Sequence, residues 1–580
     1  MDEGTFRVGV GRGDVTGPVM PVGMMGFGQS HQRVKEVALG LKARAYAVEL
    51  PRSGDRFVFV SAEIWGITQS VHQAVTQRLA TEHPGLELTE RNVMLTATHT
   101  HSGPGGYSHH VLFNLSIAGY AQPIFDAIVE GVCEAILSAV ESLQPGRVSL
   151  CYGEIPTDEP VGINRAMAAY NSNDDVTPIP ADQAHLAIDR EMTTLRFDDA
   201  EGRPLGAVNW FGVHACNLHA DNQLVHPDNK GMASRALEAY AATAWDAASF
   251  QAAFPQTSAG DVTPNYRWDA SRGLAVGACD DDFESAAQNG DIQFRQARKL
   301  LEGCGPTERL TPEVSARFRY VDYSQAVVDP EFGPGCDGVT TGPATLGISM
   351  ARGTKDGPGP LFKLSGLTWL LNRALSLFQA FKALCIGKRR VLLASPQGPK
   401  FPMIEPGRGP DGRILGLFSQ AYAPVPSSVD PTIARLRSLV RSGVVGKRPW
   451  APQVLPLQLV RLGSLAIIAV PFEPTTVAAR RMKAVVRRIM APAGVTHVVV
   501  SGYANTYCGY LTTHEEYRLQ GYEGASTYMG QWTLAATLTQ LQEMAQSSVS
   551  SAEVAEPSSV RPEPFTDEEL ALRAFQPVSG

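Results

Sequence analysis

Two histidines two positions apart, His99 and His101, follow a short apolar run in Val93-Met-Leu-Thr-Ala-Thr-His99-Thr-His101-Ser-Gly-Pro-Gly-Gly106. Residues 93–98 alternate and are rich in β-formers, so they predict a strand that empties into a glycine-rich loop. Side chains at i and i+2 of an extended chain share a face. The two imidazoles therefore leave one strand end together, over a loop that lets other atoms come close. That arrangement suits a metal ligand beside an acid–base or hydrogen-bonding group.

A metal needs more than one imidazole, and other segments offer donors. In Asn209-Trp-Phe-Gly-Val-His214 an apolar strand ends in a histidine, which taken alone is more often a satisfied core residue than a ligand. Glu473 directly follows the apolar run Leu465-Ala-Ile-Ile-Ala-Val-Pro-Phe. An isolated buried charge is costly, so this carboxylate requires a partner. A metal would serve, and so would an arginine such as Arg480; spacing leaves both open. Thr263 lies in Ser258-Ala-Gly-Asp-Val-Thr263-Pro-Asn265, where an Asx or proline turn is the simplest reading. Tyr507, Tyr510, Tyr517 and Tyr522 fall in the polar stretch 505–523 and suit either a site mouth or plain packing. His219 and His226 read as loop histidines, because a zinc site seldom needs more than four ligands.

The elements that must position these groups alternate along the chain. Strand-like runs separated by turns occupy residues 5–62, and apolar spacing predicts helices over 70–79, 124–143 and 292–301. Buried strands are expected over 205–214 and 457–471. Interspersed strands and helices indicate an α/β class, with mixed β-sheets layered by helices. Residues 361–385 form an amphipathic helix with an apolar stripe at Leu367, Leu370, Leu371, Ala374, Phe378, Phe381 and Cys385. Its polar stripe is Thr368, Asn372, Ser376 and Gln379. Core packing of the apolar side is the expectation, with a lid or wall for an acyl chain as the sharper alternative. One domain over 1–545 is expected, followed by a Ser/Pro/Glu-rich connector and short C-terminal helix over 546–580. Thr566 and Glu569 make a capping box for that helix.

Composition excludes some functions. The net charge is −8, which opposes nucleic-acid binding, and the local run Lys388-Arg389-Arg390 reads as a solvated turn. Eight cysteines include no Cys-x-x-Cys pair, so a thiolate zinc cluster is not expected. The N-terminal residues lack the pattern of a secretory signal, and no apolar run reaches membrane-spanning length. A cytoplasmic protein is the expectation.

Taken in order, these segments resemble the neutral (non-lysosomal) ceramidase family. The resemblance rests on Val8-Gly-Val-Gly-Arg-Gly-Asp14, Ala97-Thr-His-Thr-His-Ser-Gly-Pro-Gly-Gly-Tyr107, Ile163-Asn-Arg165, Trp210-Phe-Gly-Val-His214 and Asp228-Asn-Lys-Gly231. It continues through Gly260-Asp-Val-Thr-Pro-Asn265, Asp356-Gly-Pro-Gly359, Glu473-Pro-Thr-Thr476, Tyr510-Leu-Thr-Thr-His-Glu-Glu-Tyr517 and Tyr522-Glu-Gly-Ala-Ser-Thr527.

The resemblance implies a zinc-dependent amidohydrolase that cleaves ceramide or another lipid-like N-acyl compound by attack of zinc-bound water. It implies Zn2+ held by His99, His214, Glu473 and Tyr510, with His101, Arg165 and Tyr522 around the substrate carbonyl. Arg165 and Tyr522 would support negative charge and His101 would protonate the amine. Thr263 stands where the family usually has serine, and is expected to position groups or line the oxyanion site. The same residues could instead transfer an acyl group, or the chain could be a non-catalytic lipid-binding relative. The family's C-terminal immunoglobulin-like domain is expected to be absent. The expected partner is an N-acyl amide or lipid, with transient membrane-surface contact; oligomeric state is left open.

Overall fold

In the computed structural model, residues 5–333, 338–385, 395–419, 441, 448–550 and 560–575 are described. The elements that matter for the site are β1 (Phe6–Asp14), β2 (Lys42–Glu49), β3 (Arg56–Ala62), α1 (Gln69–Glu82), β4 (Val93–Ala97), α2 (Gln122–Glu141), β5 (Gln144–Glu154), β6 (Glu191–Asp199) and β7 (Pro204–Trp210). They continue as α3 (Asp228–Ala244), β8 (Gln251–Ala253), α4 (Asp282–Leu301), β9 (Thr307–Arg309), β10 (Val314–Asp322) and α5 (Ser365–Cys385). The last are β11 (Val454–Leu462), β12 (Leu465–Ala469), α6 (Thr476–Met490), β13 (His497–Ser501), α7 (Thr533–Val549) and α8 (Asp567–Ala571).

Period-2 alternation sorts these strands into two sheets with different coatings. A nine-stranded sheet runs β8-β7-β6-β5-β1-β2-β3-β4, with β9 also on β5; a four-stranded sheet runs β10-β11-β12-β13. Phe6 and Val8 of β1, Tyr46 and Val48 of β2, and Phe57 and Phe59 of β3 share one core with Val460, Leu465, Ile467 and Val499 of the smaller sheet. Their neighbours on the opposite faces do something else. Ala43, Ala45, Ala47, Val58, Val60 and Ala62 pack with α1 and α2. Ala466, Ile468, Val498 and Val500 pack with α6 and α7. The result is helix, sheet, sheet, helix, as the α/β reading requires.

Glycine sets the closeness of one helix layer. A Cβ on Gly13 would come 1.9 Å from the Gly131 carbonyl oxygen, so β1 and α2 meet backbone to backbone.

The structure corrects two readings. Residues 457–471 are not one strand but the hairpin β11–β12, because Gly463 takes φ +57 and reverses the chain. The helix over 365–385 also faces the opposite way from expectation. Thr368 and Asn372 are buried, whereas Leu367 and Leu370 are exposed. The physical reason is hydrogen bonding: Asn372 Nδ2 donates to Ser349 Oγ (3.0 Å) and its Oδ1 accepts from the Phe401 backbone N–H (3.1 Å). Phe378, Phe381, Cys385, Ser376 and Gln379 fall outside the described side chains, and Lys388-Arg389-Arg390 outside the described residues. Of the expected connector, 551–559 also fall outside the described residues, and its start is corrected: residues 546–549 continue helix α7, which ends at Val549. After it, Thr566 and Glu569 cap α8 reciprocally.

Candidate active site

The chain brings its polar donors to one place by ending four apolar strands there. β4 and β7 of the large sheet lead to His99 and His214, and β12 and β13 of the small sheet lead to Glu473 and the tyrosines. Two short parallel pairings hold the strand ends in register. Thr100 bridges Ala215, and Glu473-Pro474 pairs with Tyr510-Leu511 so that Glu473 lies opposite Tyr510. His99 itself has φ +69, an unusual conformation for a residue with a Cβ, and its backbone N–H is anchored on the Ile64 carbonyl (3.0 Å). Gly26 is required beside it, since a Cβ there would sit 2.3 Å from His101 Cγ.

Backbone carbonyls orient both metal-candidate imidazoles. His99 Nδ1 donates to the Trp65 carbonyl at 2.6 Å. His214 Nδ1 donates to the carbonyls of Ala259 (2.6 Å) and Val262 (3.1 Å). Assigning the proton to Nδ1 in each leaves Nε2 as a bare lone pair. These lone pairs converge on a carboxylate oxygen: Glu473 Oε2 lies 3.6 Å from His99 Nε2 and 3.2 Å from His214 Nε2. His214 Nε2 is buried without a hydrogen-bond partner. Three acceptors facing one another in a dry interior repel unless a cation lies among them. Ligand atoms about 2.0–2.1 Å from a tetrahedral zinc are themselves roughly 3.3–3.4 Å apart, so the spacing fits such an ion. His101 Nε2 is 3.1 Å from His99 Nε2, and the three histidines form a compact buried group.

Burial lowers the His99 pKa to about 4, and Glu473 only partly offsets it. His101 is driven well below its usual value by burial and by His99 and His214. Burial raises the Glu473 carboxyl, but His99, His214 and the Tyr507 hydroxyl outweigh it and bring its pKa to about 2. Neutral imidazoles and an ionised carboxylate are the protonation states a divalent ion requires. Behind Glu473, Tyr507 donates to Oε1 and Tyr503 to Oε2 (3.3 Å).

Arg165 closes the other side. Its Nη2 donates to Tyr510 Oη (2.9 Å) and the Gly260 carbonyl (3.0 Å), and its Nε to Glu523 Oε1 (3.0 Å). Its Nη1 is 4.0 Å from Asp356 Oδ1, and its guanidinium carbon lies 5.6 Å from the centre of the Tyr522 ring. Burial opposes the Arg165 charge, but Tyr510, Glu523 and Asp356 more than restore it. Thr263 stands one step back: its hydroxyl donates to Asp356 Oδ2 and accepts from the Asn265 N–H (3.0 Å). A cavity of about 130 Å³ is lined by the polar groups His99, His101, Glu473, Tyr510 and Tyr522 together with the apolar Met25, Trp65, Leu112, Phe113 and Met350; Arg165 and His214 do not line it.

A profile described as neutral/alkaline non-lysosomal ceramidase, N-terminal, matches residues 6–368 and 422–539. The chain belongs to this ceramidase family. It is 36% identical to the neutral ceramidase of Pseudomonas aeruginosa over 542 residues, 92% of this chain and 71% of that protein. It is 32% identical to neutral ceramidase A of Dictyostelium discoideum, covering 94% of this chain and 73% of that one. A solved structure described as ceramidase complexed with C2 superposes with a TM-score of 0.75 at 33% identity, covering 97% of this chain and 77% of the other. The crystal structure of the Pseudomonas aeruginosa neutral ceramidase gives 0.74 at 32% identity, with the same coverage.

Within this ceramidase-family chain, His99, His214 and Glu473 meet directly, Tyr510 is held beside them by Arg165, and His101 and Tyr522 share their cavity. Thr263 does not line it. Arg480 does not pair with Glu473; its Nη1 donates to Tyr170 Oη (3.1 Å). Tyr517 is spent on Gln397, and both His219 nitrogens are occupied by Asp282 and the Ala275 carbonyl. Sequence reasoning missed Trp65, Tyr503 and Glu523. Trp65 acts through its backbone carbonyl, which no side-chain pattern reports. Glu523 had a signal, because an acid beside Tyr522 needs a cation once buried.

Proposed function

We propose that this chain is a zinc-dependent amidohydrolase that cleaves the amide bond of ceramide or a closely related N-acyl lipid. The observation that carries the reading is the convergence of two imidazole Nε2 atoms, their Nδ1 atoms each held on a backbone carbonyl, on Glu473 Oε2. Family membership supports the substrate class, because the relatives named above are neutral ceramidases. His99, His214, Glu473 and Tyr510 would hold the ion, which when bound supplies a charge that polarises a carbonyl and acidifies water.

The chain's own groups do the rest. Arg165 keeps its charge and, through the Tyr510 hydroxyl it donates to, supports the negative charge that grows on the carbonyl oxygen in the cavity beside Tyr522. Three acceptors hold that guanidinium still, so no reorganisation is needed as charge develops. His101 is neutral, sits in the cavity wall and has an unpartnered Nδ1, so it can take the proton given up by the attacking water and pass it to the departing amine. Thr263 acts on this centre through Asp356 and is a positioning residue. The apolar wall of Met25, Trp65, Leu112 and Phe113 beds the carbons next to the amide and keeps bulk water out. A cavity of about 130 Å³ accommodates the reacting amide and its first carbons, and the remaining length of a lipid lies beyond it.

The test is incubation of purified, zinc-loaded protein with a long-chain ceramide. Fatty acid and free sphingoid base released in equal amounts is the expected result. Absence of free amine, or free sphingoid base appearing only when an acceptor amine is added and without an equal amount of fatty acid, would overturn hydrolysis.

A further inference from the structure

Among its described side chains, helix α5 turns Leu367, Trp369, Leu370 and Leu377 toward water. Leu367 is 51% exposed, Trp369 61%, Leu370 56% and Leu377 59%, and Leu364 just before the helix is 50%. The polar residues on the opposite side are the covered ones, with Thr368 at 1% and Asn372 at 7%. A helix that spends its polar side on internal hydrogen bonds and leaves Trp and Leu outside is built to meet an apolar phase.

Three further observations say which phase. First, charge: residues 357–404 contain seven Lys or Arg, of which Lys400 is buried on the Thr345 and Thr527 carbonyls, and no Asp or Glu, in a chain whose net charge is −8. Lys363 and Arg373 are exposed on the same stretch as the leucines. Second, position: Asn372 is bonded to Ser349, and the next residue, Met350, lines the catalytic cavity. The apolar face therefore lies one layer from that cavity. Third, origin: the family profile skips residues 369–421, so Trp369, Leu370 and Leu377 belong to a part of this chain that the profile does not describe.

We propose that the outward face of α5 docks on an anionic lipid bilayer. The helix lies in the interface plane, with Leu367, Trp369, Leu370 and Leu377 in the acyl boundary and Lys363 and Arg373 at the headgroups. It does not span: no helix among the described residues is long and apolar enough to cross a membrane. A second copy fits this face poorly, because a twofold contact would set two acid-free basic stretches against each other. The proposal does not depend on the amidase reading, since binding is measured without turnover.

The experiment is co-sedimentation of the full chain with vesicles of phosphatidylcholine alone or mixed with phosphatidylglycerol. The protein should partition to the mixed vesicles and much less to the neutral ones. Raising salt from about 0.1 to 0.5 M should weaken binding severalfold as the Debye length shrinks. A Leu367→Ser/Trp369→Ser/Leu370→Ser variant should lose roughly tenfold or more in partitioning while keeping its melting temperature. Lys363→Ser/Arg373→Ser should lose the preference for the anionic vesicles, and Val327→Ser, another exposed apolar position, should bind as wild type. Wild-type protein left in the supernatant, or a triple variant that binds equally well, would overturn the proposal. So would a triple variant whose only change, in sedimentation velocity, is loss of a dimer.

Discussion

Replacing Tyr507 by Phe removes one oxygen from behind Glu473 and little else. The Tyr507 ring packs on Trp65 with centroids 4.0 Å apart and is buried, so Phe keeps the packing. What is lost is the hydrogen bond to Glu473 Oε1, while Tyr503 still reaches Oε2 at 3.3 Å. A hydrogen bond to a charged group contributes about 1.5–3 kcal/mol, and the metal-free protein should lose stability of that order. The second consequence is at the metal. Tyr507 ties up Oε1 and leaves Oε2 to face His99 and His214, so without it the carboxylate is free to turn. Loss of such an outer partner lowers metal affinity roughly 10–100-fold, or about 1.4–2.7 kcal/mol. Competition for zinc against a chromophoric chelator reads the affinity, and thermal unfolding of the metal-free protein reads the stability. An affinity within threefold of wild type would refute the orienting role assigned to Tyr507, whatever the melting temperature.

Other expectations follow from the same geometry. Arg165→Met should lower kcat about 10²–10³-fold in ceramide hydrolysis with a smaller change in KM, and a rise confined to KM would contradict its support of the developing charge through Tyr510. Thr263→Ser keeps the donor to Asp356 and should leave kcat within about threefold, whereas Thr263→Ala should cost roughly tenfold; an unchanged rate for the alanine variant removes Thr263 from the account. Burial opposes protonation of His219, but Asp282 and the Ala275 carbonyl outweigh it and raise its pKa above the usual 6.5. The stability it adds is therefore fully present below about pH 6.5 and is lost as pH rises through the higher folded value. Melting temperatures from pH 6 to 9 should show this loss in wild type and not in His219→Gln, and parallel curves would contradict it.

Much of the site was legible because its residues sit at the ends of apolar strands. Val93–Ala97, Pro204–Trp210 and Leu465–Ala469 are strands, and the polar side chain that follows each one reaches the centre. Periodicity also marked α1, α2 and α4, though the structure extends α1 to Glu82 and starts α4 at Asp282. Two readings failed for one physical reason. Hydropathy along a chain reports which residues share a face, not what covers that face. Residues 457–471 carry one continuous apolar signal, yet Gly463 divides them into two strands of one sheet. In α5 the pattern was read correctly as amphipathic, but the side turned to the protein is the polar one, because Ser349 and the Phe401 N–H wait there for Asn372. The parts of the site that remained invisible act across long separations or through the backbone. Trp65 presents a carbonyl to His99, and Glu523 reaches Arg165 across 358 residues.

The central claim is that His99, His214 and Glu473 surround one divalent cation. It is tested most directly by counting metal in the purified protein after zinc loading and exhaustive dialysis, alongside His214→Ala and Glu473→Gln. The account predicts one tightly held zinc per wild-type chain and almost none in either variant, with both variants still folded by circular dichroism. Wild-type protein that retains no zinc, or a His214→Ala chain that keeps a full equivalent, would contradict it.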